Sequence, residues 1–201
     1  MKKYYKIIPA AFLLIIAISC SKNDDKVEKV DYPEENPLAV YLEKSGFSNI
    51  PSFYTNGEIY VNGFQFKPKV KGKIKTVILK IPSNATNQLI TIWDVETHAA
   101  VRSIRVPKVT ANMEMRQEIE HLEIVPEKRY NITFNGISYY KYSKPTLVTY
   151  PIDAGNISIL DIVNTLSYVG GEQDYPWAST GHGEKRNAYW GVISFVFQQT
   201  E

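Results

Sequence analysis

The sequence predicts an all-β fold: a jelly-roll-like antiparallel β-sandwich in a single domain. Three observations carry that expectation. Apolar residues recur at every second position rather than every 3.6. Turn-forming Asn, Gly and Pro interrupt the apolar runs at roughly 8–12-residue spacing, the rhythm of short strands. The 14 Tyr and 8 Phe, with frequent Ile, Val and Thr, suit a pleated, half-buried surface.

Taken in order, the strands begin beyond residue 50. Ile74, Thr76, Val77, Leu79 and Ile81 mark one. Leu89, Thr91 and Trp93 interleave with Ile90 and Ile92 in the next. Residues 113–122 have a composition that a helix also tolerates; they are assigned here to a strand. Tyr130, Ile132 and Phe134 alternate with Asn131, Thr133 and Asn135, a strand with one wet face. Residues 159–166 stay open between helix and strand. Residues 189–197 are apolar on both faces, which suits a central strand. Turns are expected at Asn56-Gly57, Asn62-Gly63, Lys71-Gly72, Pro82-Ser83-Asn84, Asn135-Gly136 and Gly170-Gly171.

The N-terminus has a different character. Lys2, Lys3 and Lys6 precede an apolar run over residues 7–18, broken only by Pro9. That run suits the apolar core of a signal peptide; a membrane-spanning helix needs about 20 residues. It ends in Ala17-Ile18-Ser19-Cys20, which resembles the bacterial lipobox, with Ala17 where Leu is commonest. The resemblance implies removal of residues 1–19 and acylation of Cys20, with the lipid bilayer as partner. Cys20 is the only cysteine, so no internal disulfide competes for it. An ordinary signal peptide, or a short anchor with a coincidental cysteine, is the other reading. Asp24-Asp25 resembles the surface-export signal of Bacteroidetes lipoproteins, which implies an outer-membrane protein displayed on the cell surface. A plain solvated tether explains the same residues. Residues 20–37, polar and containing Pro33 and Pro37, are expected to link the lipidated cysteine to a domain over 38–201.

Without residues 1–19, the 23 Lys+Arg lose three and leave 20 against 21 Asp+Glu, a net charge of −1. A near-neutral domain with no basic stripe argues against a nucleic-acid partner. Residues 89–97 followed by 101–104 look like one WD40 repeat, but a propeller needs about four to eight such blades and the chain has one.

A broader pattern covers residues 55–142. Gly63-Phe64-Gln65-Phe66 leads to Gly72-Lys73-Ile74, then Val77-Ile78-Leu79, then Ile92-Trp93-Asp94. Val125-Pro126-Glu127-Lys128 precedes Tyr130-Asn131-Ile132-Thr133-Phe134, and Tyr139-Tyr140-Lys141-Tyr142 follows. This order resembles the secreted bacterial β-sandwich family catalogued as domain of unknown function 4082, with Ile92 where Leu is usual and a longer aromatic C-terminal half. The resemblance implies a jelly-roll-like fold that accompanies carbohydrate-active and surface proteins. It implies neither a ligand nor a catalytic residue.

Chemistry is sparse. His98 falls in an expected hairpin turn. His121 lies in Glu118-Ile119-Glu120-His121-Leu122-Glu123, where strict alternation puts Glu118 and Glu120 on one face and His121 with Glu123 on the other. Two ligands on a face are too few for a structural zinc site. His182 lies in a long loop with no nucleophile paired to it. No G-x-S-x-G, phosphate loop or catalytic cysteine is present. The expectation is a protein without enzymatic activity, metal or cofactor.

The loop 170–187 is the richest candidate site. Tyr175 and Trp177 offer flat faces for a sugar ring or an interface, and Asp174, Arg186 and Asn187 offer hydrogen bonds to hydroxyls. The other reading, which the sequence favours, is that Trp177 packs down as a lid over one end of the sandwich. Tyr142, with Tyr139 and Tyr140, forms a second aromatic patch of which at least one ring is core. The expected function is a binding module for a glycan or another extracellular ligand. The alternatives are an adhesive lipoprotein that contacts a cell-surface protein, and an unrecognised hydrolase.

Overall fold

A computed structural model of the chain describes residues 30–48, 52–166, 175–176 and 185–201. Residues 32–201 form one compact unit, and its fold is an all-β antiparallel sandwich. Eleven strands and one short helix are present among the described residues. They are β1 (Glu34–Glu35), α1 (Pro37–Ser45), β2 (Ser52–Pro68), β3 (Gly72–Leu79), β4 (Ala85–Asp94) and β5 (Ala100–Val109). Then follow β6 (Met115–Ile124), β7 (Tyr130–Thr149), β8 (Ile152–Ala154), β9 (Ile157–Leu166), β10 (Lys185–Trp190) and β11 (Ile193–Gln199). One sheet has the order β1-β11-β3-β6. The other has the order β5-β4-β7-β2-β9-β8, with β10 paired to the second half of β7.

Period-two patterning places the core. Phe64, Phe66, Ile90, Ile92, Ile132 and Phe134 of the large sheet meet Ile74, Val77, Leu79, Leu122, Phe195 and Phe197 of the small one. The Phe66 ring lies 4.7 Å from that of Phe195, joining the sheets, and 5.5 Å from that of Tyr130. The segment 113–122 is strand, as expected, and the open segment 159–166 is strand as well.

The structure departs from the sequence reading in four places. First, Asn56-Gly57, Asn62-Gly63 and Asn135-Gly136 are not turns but lie inside β2 and β7, which pair with each other. Gly63 is there because the strands approach too closely for a side chain: a Cβ would lie 1.9 Å from the Ile132 carbonyl oxygen. Lys71-Gly72 leads directly into β3.

Second, residues 189–197 are two strands in different sheets. Tyr189 pairs with Tyr142 of β7, whereas Ile193 pairs with Leu79 of β3. The chain crosses at Gly191, whose φ is 94°.

Third, residues 34–37 belong to the compact unit, although a flexible linker was expected up to residue 37. Glu34 and Glu35 pair with Gln198 and Phe197. The Glu35 carboxylate accepts hydrogen bonds from the Asn156 backbone N–H (2.8 Å) and side-chain amide (2.7 Å). Fourth, α1 follows at once. Asn36 caps it by accepting from Ala39 N–H, Pro37 starts it and Gly46 ends it.

Helix α1 inserts Tyr41 into a buried aromatic cluster. Its ring lies 5.6 Å from Tyr189, 6.0 Å from Phe47 and 6.3 Å from Tyr150, and the Tyr41 and Tyr150 hydroxyls share a 2.6 Å hydrogen bond. Burial, reinforced by Tyr150, pushes the Tyr41 phenol far above its ordinary value. Burial does the same to Tyr189. A phenol with a raised folded-state pKa stabilises the fold below its unfolded value, about 10, and that stability is lost as pH rises further. Alkaline titration is therefore expected to release the tyrosinate absorbance of these two rings together with unfolding above about pH 10. Tyrosinate signal from both in a fully folded protein would contradict the packing.

Candidate functional site

Of the residues singled out in the sequence, Tyr175 is described fully and Tyr142 is described in its strand. Arg186 has a described backbone in β10, opposite Val148. Cys20, Asp174 and Trp177 lie outside the described residues, as does the Arg186 side chain.

Tyr175 sits on the outer face of the large sheet. That face is built by the residues of β4 and β7 that alternate with the core: Thr91 and Trp93, then Asn131 and Thr133. All four are buried, so both sides of these strands are covered. The Trp93 indole N–H donates to the Thr133 hydroxyl at 2.9 Å. The Tyr175 ring meets Trp93 edge-on at 5.9 Å and lies 4.4 Å from the His98 ring. Its hydroxyl accepts from the Asn131 amide at 2.9 Å. Pro176 is buried beside it. Tyr175 remains half-buried, and burial raises its phenol pKa while the Asn131 bond opposes the rise. The oxygen of that amide, Asn131 Oδ1, is buried with no hydrogen-bond partner among the described residues.

The hairpin beneath Tyr175 is locked electrostatically. Asp94 Oδ1 accepts from the N–H groups of Glu96 (2.8 Å) and Thr97 (3.1 Å), turning the chain so that His98 adopts a φ of 59°. Its other oxygen pairs with Lys128 at 2.7 Å. The Lys128 contact, helped by the two N–H groups, holds the Asp94 carboxyl down at about 2. The stability this charge contributes is present above the unfolded value near 4 and is lost as pH falls towards 2. Thermal melts between pH 5 and pH 2 are expected to show a steep loss in the wild type and a shallower one in Asp94→Asn. Equal slopes would remove this role from Asp94.

Tyr142 is not part of the Tyr175 cluster. It packs on Tyr189 at 6.2 Å. Eleven residues of β7 separate it from Asn131, roughly 35 Å along an extended strand. Tyr139 and Tyr140 are both buried, and the Tyr140 hydroxyl donates to Asn112 at 2.5 Å.

A concavity that sequence reasoning missed lies on the small sheet. A groove of about 480 Å³ is lined by Glu34 of β1, Lys75 and Thr76 of β3, Val196 of β11, and Arg116, Glu118, Ile119 and His121 of β6. Strict alternation assigned Glu118 and His121 to opposite faces. The ladder is irregular there: Ile74 faces Leu122 and Thr76 faces Glu118, so β3 advances two residues while β6 advances four. This bulge turns both side chains towards the same groove. Among the described residues no group of three or more His, Cys, Asp or Glu is placed to hold a metal ion.

No protein-family model matches the chain, and no curated protein matches it either.

Proposed function

We propose that the protein is a lipid-anchored lipoprotein displayed on the cell surface, and that its sandwich is a binding module for a glycan or another extracellular ligand. The observation that carries the binding reading is the state of Tyr175. Its ring is half-exposed, yet fixed on a rigid sheet by Trp93, His98 and Asn131. An aromatic held this way presents a flat apolar face at little further entropic cost, which is what a stacking platform needs. The family resemblance, to domains that accompany carbohydrate-active proteins, points the same way. The anchoring reading rests on the lipobox-like Ala17-Ile18-Ser19-Cys20 and on Asp24-Asp25.

Binding of the protein to a broad panel of bacterial, host and plant glycans tests the first half, with Tyr175→Ala and Trp177→Ala beside the wild type. A saccharide-specific signal that falls at least tenfold in either variant supports the module. Silence across the panel would sink it, and cross-linking on living cells would then seek a protein partner. Palmitate labelling that persists in Cys20→Ala, or intact cells that shield the protein from added protease, would refute the anchored, surface-displayed half.

A further inference from the structure

We propose that the groove on the small sheet is a second binding site and that it takes an uncharged, hydroxyl-rich ligand, a neutral oligosaccharide. This rests on the glycan-binding reading but puts a ligand on the opposite sheet from Tyr175.

The groove has the make-up of a small-ligand site. Its volume, about 480 Å³, falls within the usual range of roughly 300–1,000 Å³. Val196 and Ile119 supply an apolar floor, and charged and polar side chains stand around it. It is formed by a strand irregularity, and bulges are over-represented beside functional sites because they re-aim side chains. One wall is Glu34, which is held in place by its pairing with Gln198 and its ion pair with Lys75.

Charge decides the ligand class. The two cations, Lys75 and Arg116, are balanced by the two carboxylates, Glu34 and Glu118. An anionic ligand would meet both carboxylates, and a cationic one would meet both basic groups. A neutral ligand meets neither penalty. Lys75 is engaged with Glu34, and Arg116 with Glu114 at 3.1 Å. Glu118 and His121 make no ion pair and no side-chain hydrogen bond among the described residues. A carboxylate that only accepts, beside an imidazole that can donate and accept, matches neighbouring sugar hydroxyls, each of which does both. The C–H face of a sugar ring would lie on Val196 and Ile119. The Thr76 hydroxyl adds a further polar contact.

The test is calorimetric titration of the full chain with neutral hexasaccharides (β-1,4-glucan, β-1,4-xylan, α-1,4-glucan) and with polygalacturonate fragments. Glu118→Ala, His121→Ala and Tyr175→Ala are run beside the wild type, with melting temperatures confirming that each is folded. The expected result is binding of at least one neutral hexasaccharide. The groove-site binding should weaken on the order of tenfold in Glu118→Ala and in His121→Ala, because each loses a ligand hydrogen bond, whereas Tyr175→Ala should remove only the separate site on the opposite sheet and leave the groove isotherm in place. Neutral binding that survives both groove variants and disappears in Tyr175→Ala would overturn the groove site while leaving the glycan module standing. Binding of polygalacturonate alone would overturn the assigned ligand class. No saccharide binding at all would overturn both.

Discussion

Phe66→Ala is expected to destabilise the protein by about 3–5 kcal/mol, the range for removing a large aromatic from a closed core. Phe66 is completely buried at the centre of the sandwich. Its ring touches Phe195 of the opposite sheet at 4.7 Å, Tyr130 of the neighbouring strand at 5.5 Å and Phe64 of its own strand at 6.0 Å. The neighbours belong to strands fixed by hydrogen-bond ladders on both sides, so they have little freedom to collapse into the space. The loss is therefore the transfer term plus a cavity. Urea unfolding measures it directly, with Phe66→Leu as the partner variant. Leucine refills much of the volume and should recover more than half of the loss. A Phe66→Ala cost below about 1 kcal/mol would mean that the two sheets are not joined through this ring.

The second large effect is expected at Gly191. This residue has a φ of 94°, and a Cβ there would stand 2.7 Å from the buried Phe134 ring and 3.3 Å from Asn62 Cβ. Its N–H donates to the Tyr140 carbonyl of the large sheet at 2.7 Å, while the very next residue, Val192, accepts from Lys80 N–H at the end of β3 at 2.9 Å. One peptide thus carries the chain from one sheet to the other. Gly191→Ala combines an unfavourable backbone region with overpacking, together about 2–5 kcal/mol. Because β10 and β11 both depend on the crossing, amide exchange should accelerate in both strands. Acceleration confined to β10 would show that β11 holds its place in the small sheet independently.

The parts of the fold that were legible in the sequence are those where local pattern and tertiary environment agree. Alternation of Tyr130, Ile132 and Phe134 with Asn131 and Thr133 correctly separated a core face from a polar one. The polar face is nevertheless buried, and Tyr175, far away in sequence, lies against it at Trp93 and Asn131; alternation reports sidedness, not what covers the second side. The pairs Asn62-Gly63 and Asn135-Gly136 carry turn chemistry, but the same glycine that permits a turn also permits two backbones to approach, and here the second use won. The apolar run 189–197 concealed a sheet crossing because both halves are buried on both faces, so only Gly191 distinguishes them. Helix α1 left readable marks, Asn36 before Pro37 and Gly46 after Ser45, within a segment otherwise taken as linker and domain edge. The groove was not legible at all. It depends on which residue of β3 faces which residue of β6, a long-range register that no local pattern encodes, and a two-residue difference there was enough to bring Glu118 and His121 together.

The way β1 lies along β11 has a mechanical consequence. A chain held at Cys20 would transmit any pull on its ligand through Tyr32 to a ladder only two residues long. Its reinforcements include the Gln198 amide on the Tyr32 carbonyl, the Lys75–Glu34 ion pair, the Glu35 clasp on Asn156, and the Leu38 N–H on the Ser194 hydroxyl. The hydrogen bonds among these contacts, buried or part-buried, follow one another along the segment and so load in turn, whereas the long ladders of β2, β7 and β9 yield only together. Tension would first peel residues 32–46 away and lengthen the leash. That would take Glu34 out of the groove wall and draw Tyr41 from its aromatic cluster, while the main sheets stayed folded. The N-terminal segment would thus act as a shock absorber between membrane and domain.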